Sequence, residues 1–269
     1  MKYTKIIEDI STVRDFKKEE VLSSTVEEII IDSKEDLLAG KRDDVIITFI
    51  KDGQSMYDSL SGKAGYFGKM IEAPHYVLIS SKPFNGYVEN SAYVMENIRL
   101  KAWNKGLGTC WLTIEDEKEL SETQNIDIGF APVALIAIGF RYKGLFKTDT
   151  STKSGRLGVE EVIFDGQWGK PCTANSLEAR GVANILYYSK LAPSWGNLQP
   201  WRFILDDDRI VLVILDKDVY HHLDAGIVML YLEKAAQEEG IYGKWKLDVL
   251  DIDKYNIPNG YKAIGYFEI

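Results

Sequence analysis

Between Leu191 and Phe203 the sequence reads LAPSWGNLQPWRF, where turn formers and uncharged polar residues surround two tryptophans and no charge appears before Arg202. Pro193 and Pro200 fix φ and remove amide donors, and Gly196 opens conformations closed to other residues. The segment therefore reads as a loop of definite shape that holds Ser194, Asn197 and Gln199 at fixed angles. Donors and acceptors held in that way can line a binding site. The same residues would equally serve a rigid turn whose Asn and Gln satisfy its own backbone.

The segment resembles the Ala-Pro-Ser-x-x-Asn-x-Gln-Pro-Trp signature of the nitroreductase family, with Ala192, Pro193, Ser194, Asn197, Gln199, Pro200 and Trp201 all in register. That family comprises FMN-dependent oxidoreductases that work as homodimers with a flavin in each subunit interface, where this loop reaches across from the partner. The resemblance implies that Pro193, Ser194 and Trp195 wall the flavin ring or ribityl chain and that Asn197 contacts the cofactor, with Gln199 bracing the loop. Arg14 matches the last position of the family's N-terminal Arg-Ser-x-Arg/Lys, which serves the phosphate and the N1 to O2 edge, and Thr12 stands in for its serine. A guanidinium suits either task through bidentate donation and permanent charge. Lys153 and Arg156 in TKSGRLGVEE resemble a Lys-x-Arg-Leu run that contacts phosphate. Gly108 and Thr109 fall where the family's main chain approaches the ring, which requires small residues. Ile10 and Ser11 replace the family's arginine pair, and losing one charged hydrogen bond costs about 1.5 to 3 kcal/mol of binding.

Other groupings carry less. His221-His222 with Asp224 suggests metal or acid/base chemistry, but adjacent residues at a helix start face different ways, and a helix cap at Asp224 or nearby is the preferred reading. No nucleophile elbow supports Ser-His-Asp hydrolysis, and the glycines of Ser61 to Gly68 lack the Gly-Lys-Ser/Thr ending of a phosphate loop. Neither a catalytic side chain nor a metal ligand is assigned.

A chain of 269 residues with 45% hydrophobic and 27% charged content suffices for a real core. A net charge of -9 argues against nucleic acid or an anionic membrane as partner. Two cysteines, Cys110 and Cys172, make no disulfide framework, and the start MKYTKIIEDIS has no apolar signal core. A reducing, cytoplasmic setting is expected.

The elements follow from periodicity. Lys17 to Ile31 predicts an amphipathic helix, and Asp44 to Ile50, Tyr76 to Ser80 and Pro132 to Phe140 predict strands. Lys51 to Pro74 reads as loop with a short helix. Glu89 to Lys105 predicts a helix with one buried face, ended by Gly106, after which the chain turns into a short strand with Cys110 and Trp111 toward the core. Thr148 to Gly158 reads as an exposed connection and Asp165 to Asn175 as a break. Val182, Ile185 and Leu186 predict a helix into the opening loop. Arg202 to Leu205 and Ile210 to Leu215 predict strands, and Ala225 to Ala236 a helix ended by Gly240.

The pattern repeats. A shift of 134 carries Val94, Met95, Ile98, Ala102, Gly106 and Trp111 onto Val228, Met229, Leu232, Ala236, Gly240 and Trp245. A shift of 156 carries Ser33-Lys34 onto Ser189-Lys190 just before the signature loop, and a shift of 126 carries Ala137 to Phe140 onto Ala263 to Tyr266. Insertions between matching blocks are what a diverged duplication leaves. The expected fold is α+β of the nitroreductase type, with half-repeats at 1–168 and 169–269 forming an intrachain pseudo-dimer. Where the second half has its signature loop the first has Glu35 to Val45, without Pro, Asn or Gln. One composite site is therefore expected, joining Arg14, the Gly106 to Thr109 turn and Arg156 to the Pro193 to Gln199 loop.

The resemblance implies an oxidoreductase that passes hydride from NAD(P)H through FMN N5 to a small-molecule acceptor such as a nitroaromatic or quinone. The alternative is a flavin-free pseudoenzyme that binds a small ligand or regulates. The chain is expected as a monomer with an internal pseudo-twofold or as a further homodimer.

Overall fold

The computed structural model describes residues 1–66, 68–142, 144, 155–248 and 252–269. Packing divides the chain into two compact units, Asp9–Thr152 and a second made of Met1–Glu8 with Lys153–Ile269. Division by packing is a separate property from the repeat boundary at 168/169, which stays a proposal. The chain opens with helix α1 (Tyr3–Asp9), whose first residues belong to the second unit. There Thr4 Oγ1 donates to Glu238 Oε2 at 2.6 Å and Tyr188 Oη donates to Glu8 Oε1 at 3.0 Å.

In the Asp9–Thr152 unit the strands are β1 (Val45–Ile50), β2 (Ala64–Gly65), β3 (His75–Ser81), β4 (Leu107–Ile114) and β5 (Ala131–Phe140). They form one antiparallel sheet in the order β1-β3-β5-β4-β2. Helix α2 (Ser23–Lys34) packs on α4 (Tyr87–Asn104), which lies on β3, β4 and β5. Met56 and Leu60 of α3 (Gly53–Leu60) and Leu120 of α5 (Glu117–Thr123) share a core with Tyr76, Leu78, Cys110, Leu112 and Leu135. Successive strand residues face opposite ways, so Cys110 enters that core while the Trp111 indole donates to Glu96 Oε2 of α4 at 2.8 Å.

The second unit adds α6 (Val159–Val162), β6 (Ile163–Asp165), α7 (Ala174–Ala179), α8 (Ala183–Ser189), β7 (Trp201–Leu205), β8 (Arg209–Leu215), α9 (Val219–Glu238), β9 (Trp245–Lys246) and β10 (Tyr261–Glu268). Its sheet runs β6-β7-β8-β10-β9, antiparallel except where β6 pairs with β7. The order β7-β8-β10-β9 repeats β1-β3-β5-β4, with a long helix after the second strand in each case. The α+β class is as expected, and so are the main strands and both long helices.

Two expectations are corrected. The helix expected from Lys17 begins at Ser23, because the preceding residues are held extended against a strand: Val13 N donates to Thr109 O and Lys17 N to Phe140 O, each at 2.9 Å. Strand-type bonds satisfy those amides, and the charged run Lys17 to Glu20 has no apolar stripe to favour a helix instead. Helix α4 is buried almost all round rather than on one face, including Glu89, Asn90, Glu96, Asn97 and Arg99. Such polar residues tolerate burial when paired, and Arg99 Nε meets both Glu96 carboxylate oxygens at 3.0 and 2.8 Å.

Both long helices end on a left-handed glycine, Gly106 at φ 85° and Gly240 at φ 84°. Their amides donate to the carbonyls of Trp103 and Gln237 at 3.0 and 3.2 Å, which occupies carbonyls that a helix end otherwise leaves open.

Candidate functional site

The loop Leu191 to Pro200 takes its shape from backbone that few residues adopt. Gly196, Asn197 and Gln199 sit at φ 56°, 58° and 49° around a short 3-10 turn, Trp195–Asn197. Glycine does this freely and asparagine with little penalty, whereas Gln199 must be held there by its surroundings. Its amide N donates to Ser194 Oγ at 2.9 Å. Its side-chain Oε1 accepts from Leu157 N at 3.0 Å, and Nε2 donates to Asn197 O at 3.2 Å and to Gly155 O at 3.3 Å. Gln199 thus braces the loop, as the resemblance implies.

Arg156 lies in the same network. Its Nη1 donates to Asn197 Oδ1 at 3.0 Å and its Nη2 to Leu191 O at 2.9 Å, while Asn197 Nδ2 donates to Gly155 O at 3.0 Å. Burial lowers the guanidinium pKa from its ordinary value, opposed weakly by Tyr231. Ser194, Asn197 and Arg156 therefore each spend hydrogen bonds on the loop itself. Pro193 is half-buried, and Lys153 lies outside the described residues.

Trp195 is 43% exposed, and its indole stacks on the Tyr220 ring with centroids 5.6 Å apart and planes 12° apart. Its amide donates to Asp224 Oδ1 at 3.0 Å. The cap of α9 is Asp218, whose side chain accepts from Tyr220 N and His221 N, and Asp224 is buried within the helix. The cap expected near Asp224 thus lies earlier, because Asp224 is already past the first turn and has the loop amide as its partner. Among the described residues no His, Cys, Asp and Glu group could hold a metal, and His222 pairs with Asp216 at 3.0 Å.

In the Asp9–Thr152 unit, Arg14 Nη2 donates to Tyr66 Oη at 2.7 Å with the guanidinium carbon 4.3 Å from the Tyr66 ring centroid. Thr12 precedes Val13, which pairs with Thr109 on β4. Gly108 has a structural reason to be small: a Cβ there would come within 2.7 Å of Arg141 Cγ and 2.8 Å of Val13 Cβ. Packing of the N-terminal segment against β4 therefore suffices to demand glycine. Thr109 is buried.

Tyr66, Gly155, Leu157, Tyr220 and the role of Asp224 carry no local mark in the sequence. The repeat itself held a signal for the last. Shifts of 156 and 134 carry Ala39 and Asn90 onto Trp195 and Asp224. In its own unit Asn90 Oδ1 accepts from Ala39 N at 3.1 Å and from Leu38 N at 2.9 Å. Gly40, which the shift carries onto Gly196, also has positive φ. A third pair keeps the place and exchanges the sides: Lys105 Nζ donates to Glu28 at 3.2 Å, and Asn184 Nδ2 donates to Glu239 at 3.0 Å.

A family model described as "Putative TM nitroreductase" matches residues 2–236. A solved structure of a "putative nitroreductase" from Thermotoga maritima aligns over 100% of this chain and 94% of its own, at 14% identity and a TM-score of 0.63, which is a likeness of fold. An FMN-dependent nitroreductase from Clostridium difficile R20291 aligns over 54% of this chain and 91% of its own at 19% identity, TM-score 0.46. A protein described as a "Putative NADH Oxidase" from Clostridium acetobutylicum aligns over 52% of this chain and 89% of its own at 22% identity, TM-score 0.46. No curated protein matches the chain. An α+β fold of the nitroreductase type is thus the one observed, and among the described residues no helix is long and apolar enough to cross a membrane.

Proposed function

Because the chain belongs to this nitroreductase family, we propose that it is an FMN-dependent oxidoreductase that takes electrons from NAD(P)H and passes them to a small acceptor. The observation that carries the reading is the loop Leu191 to Pro200, whose left-handed Asn197 and Gln199 are fixed by a closed set of hydrogen bonds. Backbone held in sparsely populated conformations marks a shape built for a purpose.

The residue types are those that FMN requires. Arg14 and Arg156 offer guanidinium donors of the kind a phosphate or an anionic ring edge demands, and Thr12 adds a hydroxyl. The exposed Trp195 offers an aromatic edge, while Pro193 and Ser194 supply a short wall without charge. The resemblance assigns Gly108 and Thr109 to main chain beside the ring, although Val13 and Arg141 pack on Gly108 and Thr109 O accepts from Val13 N, and Lys153 would add a second cation near Arg156 in sequence. Bound FMN would accept hydride at N5 from the nicotinamide and return the electrons to a nitroaromatic or quinone. This chain's own part is to bind the phosphate, orient the ring and hold donors along its polar edge. Tyr66 orients Arg14 by accepting its hydrogen bond and stacking on it, so the charge is presented at a fixed angle.

The flavin-free reading draws on a specific observation too. Arg156, Asn197 and Ser194 already bond within the loop, and such a loop is complete without a ligand. The visible spectrum of the purified protein, after FMN addition and removal of excess, separates the two. About one flavin per chain, lost in Arg14→Ala, supports the oxidoreductase. No retained flavin at micromolar protein refutes it in favour of a binding module.

A further inference from the structure

Asp224 sits at a place where a charge has no support. The residue is 2% exposed, and among the described residues Oδ1 accepts only the Trp195 amide and Oδ2 has no hydrogen-bond partner. No ion pair reaches it among the described residues. Burial pushes its pKa well above the usual carboxylate range, the Trp195 amide opposes that, and the charge of Asp218 adds to it. The other groups around it do not compensate. Along α9 stand Asp218, the cap, His221, buried with Nδ1 unpartnered, and His222, paired with Asp216. The loop itself carries no charged residue from Leu191 to Pro200, and Arg156 is bound to Asn197 and Leu191. Helix α8 and strand β8, which pack on α9, offer only tyrosines from Ala183 to Ser189 and Arg209 at the start of β8.

The corresponding position in the other unit is an uncharged isostere doing the same work. Asn90 Oδ1 holds the amides of Leu38 and Ala39, and its Nδ2, like Asp224 Oδ2, is buried without a partner. A neutral carboxylic acid has the shape and polarity of that amide, with a hydroxyl in place of the amino group.

We propose that Asp224 is a positioning residue that works as an uncharged acid: Oδ1 holds the Trp195 amide and Oδ2 carries a proton. Tyr220, one turn earlier on α9, holds the indole of the same residue by stacking. Trp195 is thereby fixed at both its main chain and its ring. The consequence for flavin rests on the function proposed above; the anchoring does not.

The test compares wild type, Asp224→Asn and Asp224→Leu without flavin, by thermal unfolding between pH 4 and 9 and by hydrogen exchange at the Trp195 amide. With Asp224 neutral in the folded chain and ionised in the unfolded one, the wild-type unfolding constant rises relative to Asp224→Asn by about tenfold per pH unit above the ordinary carboxylate pKa. Asp224→Asn becomes the more stable protein as pH rises. The Trp195 amide stays protected in Asp224→Asn and exchanges at least tenfold faster in Asp224→Leu. Parallel pH curves for wild type and Asp224→Asn overturn the proposal, and so does unchanged exchange in Asp224→Leu. Should Asp224→Leu fail to fold, the pH comparison with Asp224→Asn decides alone. FMN titration is the separate arm: weaker binding in Asp224→Leu than in Asp224→Asn extends the proposal to the site. Diverging pH curves with no flavin bound by any form uphold the anchor and reject the flavin reading.

Discussion

Replacing Gln199 with leucine removes the brace of the loop while keeping its volume. Three side-chain hydrogen bonds are lost, to Leu157 N, Asn197 O and Gly155 O. They do not count equally. Gly155 O keeps Asn197 Nδ2 at 3.0 Å, so its loss is small. Leu157 N–H loses its acceptor in a half-buried place, at about 1 to 3 kcal/mol, and the longer bond to Asn197 O adds about 0.5 to 1.5 kcal/mol. The total is about 1.5 to 4.5 kcal/mol, or roughly 3 to 18 °C in Tm for a chain of this size. Gln199→Glu tests the geometry more sharply. One carboxylate oxygen still accepts from Leu157 N, but the other faces two carbonyls and has no proton to give. Gln199→Glu is therefore less stable than Gln199→Leu at pH 8 and recovers toward pH 4, where the acid can donate. Thermal unfolding at the two pH values measures both effects. A Gln199→Leu protein within about 0.5 kcal/mol of wild type, or Glu as stable as Gln at pH 8, would refute the brace, since ordinary surface substitutions fall in that range.

Gly106→Ala and Gly240→Ala should cost the same, about 1 to 2 kcal/mol each, because both glycines are left-handed and nothing lies within 4 Å of either added Cβ; unequal losses by urea unfolding would deny that the two helix exits are equivalent. On the acid side, burial raises the Asp206 pKa, but hydrogen bonds from Lys254 Nζ at 2.6 Å and Tyr255 Oη at 2.8 Å outweigh it and hold the carboxyl below its ordinary value. The stabilisation this brings is present above the ordinary carboxylate range and is lost as pH falls through the lowered folded value. Asp206→Asn should therefore be less stable than wild type at pH 7, with the gap closing in acid; a gap that is constant with pH in unfolding curves would count against the assignment.

Much of the scaffold was legible because its signals are local. A β-branched run marks β1, unbroken apolar runs mark β5 and β8, a three-and-four stripe marks α4 and α9, and Gly106 and Gly240 mark their exits. What escaped depends on partners distant in sequence. Residues 12 to 17 are extended because carbonyls of Thr109 and Phe140 take their amides, and nothing in Lys17 to Glu20 announces that. The polar residues of α4 read as solvent-facing, whereas Glu96 is buried with Arg99 and the Trp111 indole as partners. At the site, the shape of the loop was readable from Pro193, Gly196 and Pro200, but not the direction in which Ser194, Asn197 and Arg156 aim their polar atoms. Those atoms turn inward to the loop, a choice that residue type leaves open.

The two units differ at the site in a way that separates positioning from presentation. Each holds a loop amide on a side-chain oxygen of its long helix, Ala39 on Asn90 and Trp195 on Asp224, and each passes a glycine through positive φ immediately afterwards. Bonds of that kind fix where a loop runs whatever the loop displays. The displayed groups are what diverge. From Glu35 to Val45 there is no Pro, Asn or Gln, whereas Leu191 to Trp201 carries Pro193, Asn197, Gln199 and Pro200. A unit that had drifted at random from a common ancestor would lose anchors as readily as display, since a buried unsatisfied group costs only about 1 to 3 kcal/mol. Retention of the anchors alone follows if the loops in both units are needed for folding and one loop is needed for chemistry. Substitutions at Asn90 and Asp224 should then register first in stability, and those at Arg14 and Trp195 first in ligand binding.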